Sequence, residues 1–193
     1  MGTIIFDLDG TLVDTAPDLI DTLNVILGRE GLPAVPYDQA RALIGHGARR
    51  MLERGLAVAG RPVGNIDRMF GAFIAYYSEH VADRSRPFPG VEAALDKLAG
   101  RGCKFAVCTN KLEWLSVRLL KHLGLAGRFA AICGRDTFRV QKPHPDALLG
   151  ACAAPAAALT TPSWSVTRKP TSPPRGRPRC RWWRSISATR RFP

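Results

Sequence analysis

Between residues 86 and 133 the chain alternates helix-period and strand-period stretches, and this restricts the fold more than any other feature. Val91, Leu95 and Leu98 mark one face of a helix over 91–99. Residues 104–109, Lys-Phe-Ala-Val-Cys-Thr, form an apolar run of strand length. A helix over 112–123 follows, then a second run at 129–133, Phe-Ala-Ala-Ile-Cys. Strands separated by helices pair in parallel, because a helical crossover returns the chain in the same direction. Thr3–Phe6 is a third apolar run, read as a buried strand ending at Asp7. The expected class is α/β with a parallel sheet.

The stretch between the first strand and this alternation reads as wholly helical. Thr15 opens a Thr-x-x-Asp helix start with Pro17 in the first turn, and Leu19, Leu23, Ile26 and Leu27 share one face. A second helical stretch is interrupted by Gly45-His46-Gly47 and resumes through Met51, Leu52 and Leu56. Ile66, Met69, Phe70, Phe73, Ile74 and Tyr77 recur at three and four, the period of an amphipathic helix. Arg86-Pro-Phe-Pro-Gly90 reads as a linker. The expected organisation is a core of residues 1–15 and 86–150, a helical cap over 16–85, and a tail over 151–193.

Composition narrows the class. Apolar residues make up 46% and charged residues 23% of 193, ordinary for a globular chain. No stretch reaches the ~20 apolar residues that cross a bilayer, so no membrane partner is expected. The N-terminus reaches Asp7 too soon for a signal peptide. Five scattered cysteines without a Cys-x-x-Cys pair argue against a disulfide framework or zinc site and for a reducing, cytoplasmic setting. The net charge of +12 is uneven: residues 151–193 hold nine Lys+Arg and no acid, which leaves +3 for residues 1–150. A nucleic-acid-binding protein using the Arg- and Trp-rich tail is the alternative reading, the weaker one because a basic tail is a less specific signal than a motif. The sequence assigns no oligomeric state.

Three segments carry chemistry. In Asp7-Leu-Asp9-Gly10-Thr11 two carboxylates two residues apart at a strand end point the same way, and Gly10 permits the turn that follows. One carboxylate can attack an electrophile while its neighbour moves a proton. Such oxygens also suit Mg²⁺, which needs only one or two protein carboxylates. An Asp-rich turn is the plain alternative. Thr109-Asn110-Lys111 ends a strand on the side where open α/β sheets bind ligands, and its hydroxyl and loop N–H groups suit phosphate oxygens. It reads equally as a helix cap. In Gln141-Lys142-Pro143-His144-Pro145 two prolines stiffen the loop and fix where Lys142 points, whether toward a phosphoryl group or into solvent.

In this order, Asp7-Leu-Asp-Gly-Thr-Leu-Val-Asp-Thr, Thr109-Asn110 and Lys142-Pro143 resemble motifs I, II and III of the haloacid dehalogenase superfamily of phosphatases. The helical insert after the first motif resembles that family's type-1 cap, on a Rossmann-like core. Phe88-Pro-Gly-Val-Glu-Ala-Ala-Leu, Val107-Cys-Thr-Asn-Lys and Gly134-x-Asp-Thr-Phe look like the phosphoglycolate phosphatase branch. The resemblance implies hydrolysis of a small phosphorylated substrate with Mg²⁺ as cofactor. Asp7 would be the nucleophile and Asp9 the general acid and base, with Mg²⁺ on Asp7 and the Asp9 carbonyl. Thr109 and Asn110, with Gly10 and Thr11 of the first turn, would bind the phosphoryl group, and Lys142 would neutralise it. His46 or Arg49 of the cap loop would meet a carboxylate, or else be surface cations.

The resemblance also implies a fourth, acidic Gly-Asp-x-x-x-Asp loop, yet no Asp or Glu follows Asp146. Residues 164–168, Trp-Ser-Val-Thr-Arg, can be encoded TGG TCG GTG ACT CGG. Shifted by one base, with a preceding G, the same bases spell Val-Val-Gly-Asp-Ser, the missing loop with its strand. Continued, that frame yields an amphipathic helix and an apolar strand. The tail is therefore expected to be an out-of-frame product from roughly residue 150–160 onward. The C-terminal part of the core would be missing or disordered, a sheet edge left open, and activity impaired.

Overall fold

The computed structural model describes residues 2–60, 66–154 and 180–181, the last pair by backbone only. The out-of-frame reading of the tail falls almost wholly outside these residues. Four parallel strands form a sheet in the order β5-β4-β1-β6, with β1 Thr3–Phe6, β4 Lys104–Cys108, β5 Ala131–Cys133 and β6 Cys180–Arg181. In register, Thr3 faces Lys104 and Phe6 faces Val107, and Cys108 faces Cys133 across the next pair. Strand β1 has the expected bounds, β5 begins two residues later than expected, and β4 ends one residue earlier, which places Thr109 just past it.

The edge of β1 away from β4 carries a short backbone pairing. Cys180–Arg181 of the tail lies parallel to it, Thr3 opposite Cys180 and Ile4 opposite Arg181. Two residues of backbone pairing need no apolar period in the sequence, so this contact is invisible to a pattern search. One correction concerns the linker. Arg86–Pro87 is strand β3, paired antiparallel with β2, Val13–Asp14, where Pro87 sits at the edge of a two-stranded ribbon. Of the described cysteines, Cys103, Cys108 and Cys133 are free thiols and Cys152 is disulfide-bonded.

Side chains alternate across the sheet as strand geometry requires. Phe105 and Val107 face α5, Val91–Ala99, and α6, Glu113–His122, in a cluster with Leu95, Leu115, Leu119 and Phe129. Phe6, Phe105 and Phe129 meet edge to face there, with ring centroids 5.9–6.5 Å apart. Ala106, Cys108, Ala131 and Cys133 face the other way. They accept helix α7, Pro145–Ala153, through its small residues Ala147 and Ala151. Burial pushes the Cys133 thiol up to about 12 and raises that of Cys108 as well.

Between β2 and β3 run α1, Ala16–Arg29; α2, Tyr37–Arg41; α3, Ala48–Val58; and α4, Ile66–Glu79. Helix α1 packs on α2, α3 and α4, and α3 packs on α4. Their apolar faces, including Leu23, Leu52 and Phe73, belong to the same cluster as Leu8, Leu12 and Val13 of the first turn. The insert therefore rests directly on the loop that carries Asp7 and Asp9. Asp18, buried in the first turn of α1, accepts from Arg84 N at 2.9 Å and from Ser85 N and Oγ at 2.8 and 2.6 Å. That clamps the chain leaving the insert to the helix that begins it.

Candidate active site

Strand β1 delivers Asp7 and Asp9 to its carboxyl end, and the turn after them is tight. Gly10 has φ +74° and donates to Val13 O at 2.9 Å, while Thr11, Leu12 and Val13 all donate to Leu8 O. The positive φ is why a glycine follows the second carboxylate. Thr15 lies at the N-cap position of α1, but its hydroxyl does not cap the helix. It donates instead to Asp9 Oδ1 at 2.7 Å.

The two carboxylates have different partners. Asp7 Oδ1 accepts from Leu8 N at 2.8 Å and faces Lys142 Nζ at 2.8 Å. Its Oδ2 accepts no hydrogen bond among the described residues. Lys142 arrives from the loop before α7, where its peptide bond to Pro143 is cis and His144 Nδ1 accepts from Asp146 N at 3.2 Å. Asp9 Oδ1 accepts from Lys111 Nζ at 2.9 Å as well as from Thr15. The structure thus brings Asp7, Asp9 and Lys142 together from three segments.

Lys111 is a residue of this site that motif alone does not single out within Thr109-Asn110-Lys111. It is buried, and its ammonium lies 4.6 Å from the ring centroid of Tyr77 in α4. Burial pulls the ammonium down, but the Asp9 carboxylate and Tyr77 outweigh it and hold Lys111 above its ordinary value. Burial likewise pushes Tyr77 up to about 12, against the opposing pull of Lys111. The Tyr77 hydroxyl has no hydrogen-bond partner among the described residues. Only the helical period marked Tyr77 in the sequence, and that period equally describes core.

Thr109 is buried; its N–H donates to Cys133 O at 3.0 Å, and its Oγ1 accepts from Lys111 N at 3.2 Å. Asn110 donates to Gly45 O at 3.5 Å, and its Oδ1 is buried without a partner. His46 is exposed. Arg49 pairs with Asp67, and its guanidinium carbon lies 5.1 Å from the Phe70 ring centroid. A pocket opens beside Asp9 between sheet and insert. Leu19, Ile44, Met51, Phe70 and Ile74 form its apolar wall, and Asp9, Lys111 and Arg135 are its charged residues.

A divalent cation would find the Asp7 carboxylate, through the oxygen that does not attack, and the Asp9 backbone carbonyl. Mg²⁺ accepts so small a protein donor set because it keeps most of its waters. Among the described residues no group of three or more His, Cys, Asp or Glu is placed to hold a metal.

The model for haloacid dehalogenase-like hydrolases matches residues 4–158. The chain belongs to this family. Phosphoglycolate phosphatases of Caulobacter vibrioides and Agrobacterium fabrum are each 47% identical to it, over 79% and 76% of this chain. The chain spans just under two thirds of these curated relatives, 65% and 64% of their lengths. Among solved structures, a predicted phosphoglycolate phosphatase from Haemophilus somnus 129PT superposes with a TM-score of 0.72 at 29% identity. That match covers 79% of this chain and 70% of the other. The haloacid dehalogenase-like assignment agrees with the parallel sheet, the Asp7–Asp9 turn and the inserted helices. Among the described residues no helix is long and apolar enough to cross a membrane.

Proposed function

We propose that this chain has the machinery of a Mg²⁺-dependent phosphomonoester hydrolase, with phosphoglycolate as the substrate its relatives suggest. The observation that carries the reading is the division of labour between adjacent carboxylates. Asp7 keeps one oxygen free beside the Lys142 ammonium, and Asp9 is tied through one oxygen to Lys111 and Thr15. Asp7 Oδ2 attacks phosphorus, and the bond from phosphorus to the ester oxygen breaks. Asp9 Oδ2, the oxygen without a partner among the described residues, carries the proton that goes to the leaving oxygen. Water then attacks the phosphorus of the aspartyl-phosphate, Asp9 takes its proton, and the bond to Asp7 breaks, returning Asp7 as a carboxylate and Asp9 as the acid. Lys142 offsets charge on the phosphoryl oxygens throughout. Asp7 and the Asp9 carbonyl would hold Mg²⁺, which would supply further neutralisation of the phosphoryl charge.

In this reading residues 1–15 and 86–150 are the catalytic core and 16–85 the cap that covers it. Gly10, Thr11, Thr109 and Asn110 ring the phosphoryl position. The family's fourth acid has no counterpart after Asp146, so we infer turnover reduced on the order of 100-fold or more by a weakened metal site. The tail is read as an out-of-frame product, and an unbroken frame for it in independently sequenced coding DNA overturns that part. For the chemistry, the assay is phosphate release from phosphoglycolate with and without Mg²⁺. The expected result is slow, Mg²⁺-dependent release that Asp7→Asn abolishes. Release by Asp7→Asn equal to that of the unmodified chain refutes the assignment.

A further inference from the structure

We propose that Arg135 receives the second anionic group of the substrate, so that the pocket beside Asp9 selects short phosphorylated carboxylic acids over uncharged phosphate esters. The proposal rests on the hydrolase reading above, which places the leaving group next to Asp9.

The pocket is mainly apolar, and its charges do not cancel. Asp9 and Lys111 neutralise one another at 2.9 Å. Arg135 lines the same pocket, is half-buried, and has no side-chain hydrogen bond or ion pair among the described residues. The acid next to it in sequence, Asp136, is turned away, accepting from Glu113 N at 2.8 Å. A partly desolvated guanidinium without a counter-charge is costly to hold, and an anionic ligand relieves that cost. The other cation considered for this role, Arg49, is already paired with Asp67.

Arg135 is also braced, as a reader of ligand charge must be. Its N–H donates to Lys111 O at 2.9 Å, which ties the backbone carrying one pocket cation to the other. Gly134 before it is pressed against α6: a Cβ there would lie 2.2 Å from Glu113 N. From the insert side, Gly47 sits over the guanidinium. A Cβ on Gly47 would come within 3.3 Å of Arg135 Nη1 and of Asn110 O. The Gly45–Gly47 loop therefore closes directly on Arg135 and excludes water from one side of it. Guanidinium binds carboxylate through two parallel hydrogen bonds, a geometry that an alcohol or alkyl group cannot satisfy.

The test is isothermal titration of the full chain in Mg²⁺ with phosphoglycolate and with ethyl phosphate, which has the same carbon chain without the carboxylate. An Asp7→Asn background prevents turnover of either ester. Arg135→Gln is expected to weaken phosphoglycolate binding on the order of 10- to 100-fold, the loss of a charge-assisted pair, and to change ethyl phosphate less than twofold. Arg135→Lys is expected to keep part of the affinity and guards against a misfolded Gln variant, as does an unchanged melting temperature. If both esters bind and Arg135→Gln weakens both alike, or neither, this proposal fails while the hydrolase reading stands. If neither ester binds the Asp7→Asn chain carrying Arg135, both readings fail.

Discussion

Replacing Lys111 by Met keeps an unbranched stem of similar length and removes the ammonium, with its charge and its hydrogen-bond donors. Lys111 is 8% exposed, and its ammonium serves two groups at once, Asp9 at 2.9 Å and the face of Tyr77. Removing one member of a buried pair costs about 3–5 kcal/mol when the remaining charge is stranded. Here Asp9 retains the Thr15 hydroxyl and is 13% exposed, so the lower end applies, about 3 kcal/mol including the lost ring contact. For a chain of this length that is a fall in Tm of about 6–12 °C, measured by circular dichroism. A double-mutant cycle isolates the pair: Asp9→Asn with Lys111→Met should cost at least about 1.5 kcal/mol less than the sum of the single changes. The folded state holds the Lys111 pKa above its ordinary value, so the pair's contribution is complete below about pH 10 and is lost only above it. The deficit of Lys111→Met should therefore be constant from pH 6 to 9. A Tm within 2 °C of the unmodified chain, or strict additivity in the cycle, refutes the reasoning.

Tyr77 is held protonated up to about pH 12 against an ordinary value of 10, so folding loses stability as pH climbs through that interval. Urea titrations at pH 9 and 11 should show Tyr77→Phe to be less sensitive to the change. At pH 8 the variant should be little changed in stability, because the hydroxyl it removes has no hydrogen-bond partner among the described residues and the ring that faces Lys111 is kept. Gly134→Ala should cost on the order of 3 kcal/mol or more, since the new carbon would meet the Glu113 and Lys111 backbones, not a movable side chain. Denaturant midpoints decide it, and a neutral result would show that α6 can yield there.

The parallel sheet was legible because Phe105–Cys108 and Ala131–Cys133 are unbroken apolar runs separated by a helix, a pattern that strands buried on both faces impose. Helix α7 was not: its contact face is only Ala147 and Ala151, too small to register as an apolar stripe, although Pro145 stands at its first turn. Ribbon β2–β3 consists of two residue pairs and contains a proline, which reads as a linker in any propensity argument. In the site, Asp7, Asp9 and Lys142 announced themselves by motif. Their supports did not, since Lys111 reaches Asp9 across 102 residues of chain and no local pattern encodes that meeting. Thr15 and Asp18 looked like a helix start, and both in fact spend their side chains elsewhere, on Asp9 and on residues 84–85.

Ribbon β2–β3 places the two crossings between insert and sheet side by side, Val13 against Pro87 and Asp14 against Arg86. The helices from Ala16 to Glu79 are thus a parenthesis in the chain path: the β1–α5–β4 crossover would connect in the same sense if they were absent. An inserted module of this kind can change length and sequence over evolutionary time without altering strand order. The turn that carries Asp7 can then keep its geometry while the surface facing it is rewritten.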